Sequence, residues 1–186
     1  MGELRFTILG CGSSGGVPRL GGHWGNCDPN NVKNFRKRCS LLIQRFENND
    51  VTSVLIDTTP DMRQQLLDAK IGKLDAVIYT HEHADHLHGL DDLRMIVINM
   101  QKRLQVYASK QTKNSILKRF GYAFKTPKGS PYPPILDMND LTETLEIQGA
   151  GGPIKFTSFD VDHGNILVSA IKVKDVLYTP DISKVR

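Results

Sequence analysis

The chain has 186 residues, of which 39% are apolar and 24% are charged, a composition that is ordinary for one globular domain with a buried core. Its net charge of +4 is a mild bias toward anionic partners and does not by itself indicate nucleic-acid binding. The sequence shows neither an apolar run of membrane-spanning length nor a secretory signal, so we expect a cytoplasmic protein without a membrane partner.

The three cysteines do not suggest a structural role for sulfur. Cys11, Cys27 and Cys39 are odd in number, and no two of them are separated by only two residues. Neither a disulfide framework nor a zinc ribbon is therefore indicated, and we interpret all three as reduced thiols.

The first element in the chain is a predicted strand over residues 4–9, followed by a glycine-rich turn, Gly10-Cys-Gly-Ser-Ser-Gly15. This turn matches the G-x-G-x-x-G pattern of dinucleotide-binding folds, which requires a helix at the third glycine. The continuation Gly16-Val-Pro18 cannot form that helix. Two interpretations remain: a plain tight turn, or a substrate-binding loop in which the N–H groups around Gly15 and the hydroxyls of Ser13 and Ser14 approach a phosphate.

Basic residues are densest in residues 33–38, which contain two lysines and two arginines. Such a stretch is usually a solvated face, and phosphate binding is the alternative. Residues 40–46 and 51–56 then predict a β-hairpin. After it, Thr59-Pro60 predicts the start of a helix with Met62, Leu66 and Leu67 on its buried face.

The remaining pattern alternates strands with amphipathic helices and predicts an α/β or α+β layered domain over residues 1–186. Ser109 is the expected cap of one of these helices. In chain order we predict a strand over 74–79, a helix over 90–102, a strand over 104–107, a helix ending at Phe120, a proline-rich loop over 126–134, and strands over 154–159, 166–173 and 176–178.

The segment His81-Glu-His-Ala-Asp-His86 follows the strand at 74–79 directly. Neutral imidazoles and carboxylates are the ligands that zinc, manganese and iron(II) accept. In an extended segment His81 and His83 point to the same side, so both can face one metal, whereas Asp85 and His86 enter the next turn and face a second position. A polar loop rich in histidine is the alternative. His88 has no obvious ligand geometry.

This segment resembles the H-x-H-x-D-H signature of the metallo-β-lactamase superfamily. The glycine-rich opening, residues 8–18, is similar to that of the branch containing tRNase Z and the phosphoribosyl cyclic phosphodiesterases. The resemblance implies an αββα sandwich with two divalent metal ions, zinc in the first place. It also implies that Asp57, after the strand at 51–56, orients the metal loop as part of the catalytic site, that His163 is a ligand of the first metal, and that Asp181 bridges the two metals.

The sequence departs from this family at its end. The superfamily closes the second metal with a further histidine beyond the bridging aspartate, whereas here no histidine follows His163. We therefore expect a sandwich that lacks part of its C-terminal layers. We favour the interpretation that the given sequence is a fragment of a longer protein. The alternative is that a second chain, as in a homodimer, supplies the missing part.

The resemblance implies a metal-dependent hydrolase of phosphate esters, in particular a phosphodiesterase that attacks a cyclic phosphate or nucleotide-like substrate with metal-bound hydroxide, with Asp85 as a further catalytic residue. Three alternatives stay open. They are an incomplete metal-binding domain without turnover, a thioester or β-lactam hydrolase, and an enzyme of tRNA 3′ processing, which the absence of a separate basic arm does not favour.

Overall fold

The computed structural model describes residues 2–186, and its larger sheet has six strands. In spatial order these are β1 (Glu3–Gly10), β2 (Ser40–Glu47), β3 (Asp50–Ile56), β4 (Ala76–Ile78), β5 (Leu104–Ala108) and β6 (Leu136–Asp140). Strand β2 pairs antiparallel with β1 and with β3, whereas β3, β4, β5 and β6 pair parallel to one another in that order. The parallel half places the carboxyl ends of its strands at one edge of the sheet, where α/β proteins place functional residues.

A second, fully antiparallel sheet has four strands. They are β7 (Thr144–Ile147), β8 (Ile154–His163), β9 (Ile166–Val173) and β10 (Val176–Tyr178), in the spatial order β10-β9-β8-β7. The sequence patterns did not predict β6 or β7. Both are short, and only Leu136 and Ile147 among their residues are buried, so they lack the repeated alternation of buried and exposed residues on which strand prediction depends.

Four helices precede β6 and cover one face of the larger sheet. They are α1 (Met62–Asp68), α2 (Ala84–Leu87), α3 (Leu93–Met100) and α4 (Lys110–Phe120). Within residues 2–186 no α-helix follows α4, so the layers are helix, sheet and sheet, as expected for an αββα sandwich without its last helical layer. None of the helices in this range has both the length and the apolar character needed to cross a bilayer.

Strand alternation in the larger sheet divides the apolar residues packed against it into two clusters. On β3, Leu55 packs toward the helices, whereas its neighbours Val54 and Ile56 pack toward the second sheet. Both clusters are apolar and nearly inaccessible to water. The strand ends therefore belong to a rigid framework that is buried on both faces.

Helix α1 differs from its predicted form. It begins at Met62, because the hydroxyl of Thr59 accepts a hydrogen bond from the N–H of Asp61 in a turn that precedes the helix. Leu67, predicted to be buried, is 54% exposed, and Gln65 is buried in its place. The Gln65 amide donates to the carbonyl of Arg38, so a polar contact that apolar periodicity cannot register decides which face turns inward.

Other local predictions are confirmed. Strands β2 and β3 form a hairpin through Asn48 and Asn49, whose positive φ angles suit a tight two-residue turn. The Ser109 hydroxyl accepts the N–H of Thr112 and caps α4. No helix begins at Gly15, the third glycine of the turn, which excludes the dinucleotide-binding arrangement. The three cysteines are free.

Gly89 allows the chain after α2 to pack against the turn before α1. Its N–H donates to the carbonyl of Thr58 at 2.9 Å, and a Cβ atom at residue 89 would overlap the carbonyl oxygen of Thr59. We expect Gly89→Ala to lower the free energy of unfolding by ~1–3 kcal/mol, as overpacking does. Urea denaturation measures this. The control is Gly121→Ala, because a Cβ there meets nothing within 4 Å. Equal stability of the two variants would contradict the close packing described.

Candidate metal centre

Four separate segments deliver polar side chains to one edge of the sandwich. Asp57 directly follows β3, and His81 follows β4 after two residues. From the second sheet, His163 is the last residue of β8, and Asp181 follows β10. The parallel pairing of β3 and β4 aligns the first two segments, and the packing of the two sheets brings the others opposite them.

The first donor group consists of His81, His83, His163 and Asp181. One ligand atom from each of these residues lies within 4.8 Å of the ligand atoms of the others. The rings of His81 and His83 have centroids 4.7 Å apart, and those of His83 and His163 are 5.3 Å apart. Three imidazoles and a carboxylate in this arrangement form a donor set that suits a divalent cation such as zinc.

The second donor group consists of Asp85, His86 and Asp181, again with ligand atoms within 4.8 Å of one another. His86 Nε2 lies 3.2 Å from Asp181 Oδ2 and 3.5 Å from Asp85 Oδ2. Asp181 therefore belongs to both groups. The structure brings together all six residues predicted as metal ligands, in the two sets expected from the spacing and the resemblance.

The hydrogen bonds around His81 leave its Nε2 atom able to bind a cation but unable to donate a hydrogen bond. The Thr80 hydroxyl donates to Asp57, so toward His81 Nδ1 at 3.0 Å it can only accept, and Nδ1 carries the proton. His81 Nε2 then has a free lone pair. Among residues 2–186 this buried atom has no hydrogen-bond partner, although Asp181 Oδ2 lies 3.3 Å away, because neither atom carries a proton to share. A bound cation would satisfy both lone pairs.

Asp57 orients the histidines of both donor groups through hydrogen bonds. It is completely buried and has a φ of 63°. Its Oδ1 accepts the N–H of Thr80, and its Oδ2 accepts the Thr80 hydroxyl and His86 Nδ1, each at 2.8 Å. The last bond leaves His86 Nε2 free to face Asp85 and Asp181. Asp57 thus fixes the tautomer of His86 directly and that of His81 through Thr80.

The carboxylates give the centre an excess of negative charge. Burial disfavours the imidazolium form of His86, but the charge of Asp57 and the carboxylates of Asp181 and Asp85 outweigh it and raise the pKa of His86 to about 10. Burial and the neighbouring rings of His81 and His163 lower the pKa of His83. A positive charge is therefore favoured between His86 and the two aspartates, at the position of the second donor group.

Two residues of this centre were missed by the sequence analysis. Thr80 relays the orientation from Asp57 to His81, and its place directly before the histidine segment was the available signal. Tyr178 has a buried hydroxyl without a hydrogen-bond partner in the described part of the chain, and burial and the charges of Asp57, Cys39 and Asp181 raise its pKa. Nothing in its local pattern indicated this position. His88 is exposed and contacts Phe120 edge-on at 5.6 Å, outside both donor groups.

The predicted substrate-binding residues lie in the loop after β1. Ser14 and Gly15 line a cavity together with residues 35–38, whereas Ser13 is exposed outside that lining and accepts the N–H of Gly16 through its carbonyl. The loop is irregular from residue 11 and runs against residues 36–38. Its substrate-binding role stays a prediction.

Comparisons with known proteins agree with this architecture. The family described as the beta-lactamase superfamily domain matches residues 52–186. A protein named octanoyltransferase from Porphyromonas gingivalis is 35% identical over 184 residues, which are 98% of this chain and 35% of that protein. The crystal structure of a diphosphatase from the PhnP family has a TM-score of 0.77 at 31% identity, over 95% of this chain and 65% of that one.

A more distant likeness concerns the fold alone. The short form of human tRNase Z has a TM-score of 0.54 at 17% identity, over 92% of this chain and 66% of that one. The chain spans about a third of the Porphyromonas protein and less than two thirds of the diphosphatase. Because the matched residues 52–186 contain both donor groups, the chain belongs to the metallo-β-lactamase superfamily, whose members are metal-dependent hydrolases.

Proposed function

We propose that this chain hydrolyses phosphate esters, and that its substrate is a phosphodiester such as a cyclic phosphate or a nucleotide-like ester. The observation that carries the proposal is the position of Asp181, which lies in both donor groups. A carboxylate shared between two cation sites is the arrangement that places two cations side by side, as phosphate-ester hydrolases require.

Each of the two cation sites would be formed by its own set of side chains, with Asp181 shared between them. His81, His83 and His163 would hold one cation, Asp85 and His86 the other, and Asp181 both. Divalent cations there, zinc in the first place and manganese or iron(II) otherwise, would polarise a phosphoryl oxygen and lower the pKa of a water molecule. Asp85, whose side chain is 18% exposed, would orient that water.

Two further observations support chemistry at phosphorus. The structurally similar chain at 31% identity is named a diphosphatase, so that protein acts on a phosphorus centre. The cavity at the loop after β1 is lined by Ser14 and Gly15 together with basic residues 36–38. Backbone N–H groups and cationic side chains are suitable partners for phosphoryl oxygens.

A second candidate activity is the hydrolysis of an acyl thioester, which the same donor groups could support. It is favoured by the Porphyromonas relative, whose name describes the transfer of an octanoyl group. Octanoyl-coenzyme A, assayed for released thiol, tests this candidate. Thiol release without hydrolysis of bis(p-nitrophenyl) phosphate would favour the thioester over the phosphate ester.

The phosphodiesterase proposal predicts two zinc ions per chain and zinc-dependent hydrolysis of bis(p-nitrophenyl) phosphate. We expect Asp181→Ala to lower the metal content below two and to reduce kcat/KM by more than the ~10–100-fold that loss of an outer partner costs, because both donor groups lose a ligand. Metal analysis and initial rates measure this. The control is Asp175→Ala, because Asp175 is an exposed residue in the turn between β9 and β10. One zinc per chain in the unmodified protein, without turnover, would support an inert metal-binding domain instead.

Asp57→Asn tests the orientation of the histidines. Asparagine tolerates the positive φ at this position, but its amide nitrogen would donate toward His86 Nδ1 and force the proton onto Nε2. We expect zinc affinity to fall ~10–100-fold, measured by competition with a chromogenic chelator. Asp75→Asn is the matched control, because Asp75 also accepts a backbone N–H, that of Ser53 in the middle of β3, and belongs to neither donor group. Unchanged affinity in Asp57→Asn would exclude the positioning role.

A further inference from the structure

We infer that Arg119, on α4, is a positioning residue for His83, a proposed ligand in the first donor group. Arg119 Nη1 donates a hydrogen bond to the backbone carbonyl of Glu82, with 2.6 Å between the nitrogen and the oxygen. This carbonyl belongs to the planar peptide unit that joins Glu82 to His83, so the bond fixes the backbone from which the His83 side chain projects. The inference rests on the ligand set of the proposed function and is independent of which substrate the centre takes.

His83 differs from the other two histidines of its segment because no hydrogen bond orients its ring. The Thr80 hydroxyl lies 3.0 Å from His81 Nδ1, and Asp57 Oδ2 lies 2.8 Å from His86 Nδ1. Within residues 2–186 no side-chain hydrogen bond reaches the ring of His83, which is exposed. Metal-binding histidines are normally oriented through their second ring nitrogen. At His83 the orientation must instead come from the backbone.

Hydrogen bonds fix the backbone of His83 on both sides. On the C-terminal side, the carbonyl of His83 accepts the N–H of His86 at 3.1 Å in the turn that opens α2. On the N-terminal side, Arg119 holds the carbonyl of Glu82, and among residues 2–186 that carbonyl makes no other hydrogen bond. Loss of the arginine would therefore free the peptide unit directly before His83 to rotate.

Helix α4 is a firm support for Arg119. Thr112 and Ile116 on its inner face are completely buried. Lys113 Nζ pairs with Asp140 Oδ1, at the end of β6, at 2.7 Å. The helix cannot shift without breaking these contacts, so the backbone of Arg119 has a fixed position relative to the sheet.

Two further contacts connect α4 to the same segment. Gln111 Nε2 donates to Glu82 Oε1 at 3.0 Å, and the ring of Phe120 meets that of His88 edge-on, with centroids 5.6 Å apart. Gln111 and Arg119 are separated by about 12 Å of helix, so α4 holds Glu82 both by its carboxylate and by its carbonyl. Of these contacts, that of Arg119 is the one that reaches the peptide unit of a proposed ligand.

The charge of Arg119 and its positioning role predict opposite effects on metal binding. A guanidinium repels a cation, so its charge alone would weaken metal binding, and only slightly because the side chain is exposed. A residue that orients a ligand strengthens metal binding instead. Removal of Arg119 should therefore weaken zinc binding if the residue orients His83, and should strengthen it if only the charge acts.

Arg119→Met removes the hydrogen bond and the charge but keeps an unbranched side chain of similar helix propensity. We expect the zinc affinity of the full chain, measured by competition with a chromogenic chelator, to fall ~10–100-fold, as for loss of an outer partner of a ligand. Arg119→Lys retains a donor and the charge and should recover part of this loss. Lys118→Met is the matched control, because it removes an equal charge at the adjacent exposed position and should retain the affinity.

The visible absorption of bound cobalt(II) supplies a readout of ligand geometry that does not depend on turnover. At saturating cobalt, the band of Arg119→Met should differ in shape or intensity from that of the unmodified chain, whereas the band of Lys118→Met should match it. Zinc affinity that is unchanged or higher in Arg119→Met, or a cobalt band identical in the two variants, would overturn the positioning role and leave the proposed function standing. An equal loss of affinity in Lys118→Met would also overturn it, since that variant retains the bond to Glu82. If the unmodified chain bound no zinc, the proposed function would fail together with this inference.

Discussion

The hydrogen bonds of the Asp57 carboxylate are the contacts on which the rest of the metal centre depends. The parallel register of β3 and β4 pairs Ile56 with Ile78, and the N–H of Asp57 continues that pairing by donating to the carbonyl of Ile78 at 2.9 Å. This places the carboxylate directly behind Thr80 and His86. A completely buried carboxylate is costly unless its oxygens are fully bonded. Here the three bonds that satisfy it also orient two imidazoles.

The second sheet completes the centre because it is attached to the first at that same point. The N–H of Ser169 donates to the carbonyl of Thr80 at 3.0 Å, so β9 is anchored beside the histidine segment. The segment after β10 is held in turn by an antiparallel bridge between Asp162 and Lys184. Asp181 lies between these two attachments, which explains why a residue on an exposed connection has a defined position.

Local patterns predicted the parts of the site that lie close together in sequence. The alternation of His81 and His83, and the turn that follows, can be derived from strand and helix periodicity. The partnership with His163 and Asp181 cannot, because it depends on the packing of two sheets, and it was expected from family resemblance alone. For the same reason apolar periodicity misplaced Leu67, since the inward face of α1 is set by a polar contact of Gln65 with the carbonyl of Arg38, in the segment before β2.

One short segment connects the cavity lined by residues 14–20 and 35–38 to the turn at Asp57. Residues 36–40 run extended from the cavity to the metal centre, with Arg36 at one end. At the other end the Ser40 hydroxyl donates to the carbonyls of Ile56 and Asp57 at 2.9 and 3.0 Å. Four residues of extended chain span roughly 13 Å. The distance between the cavity and the turn at Asp57 is thus set by the segment that leads into β2, and not by side chains of the metal centre.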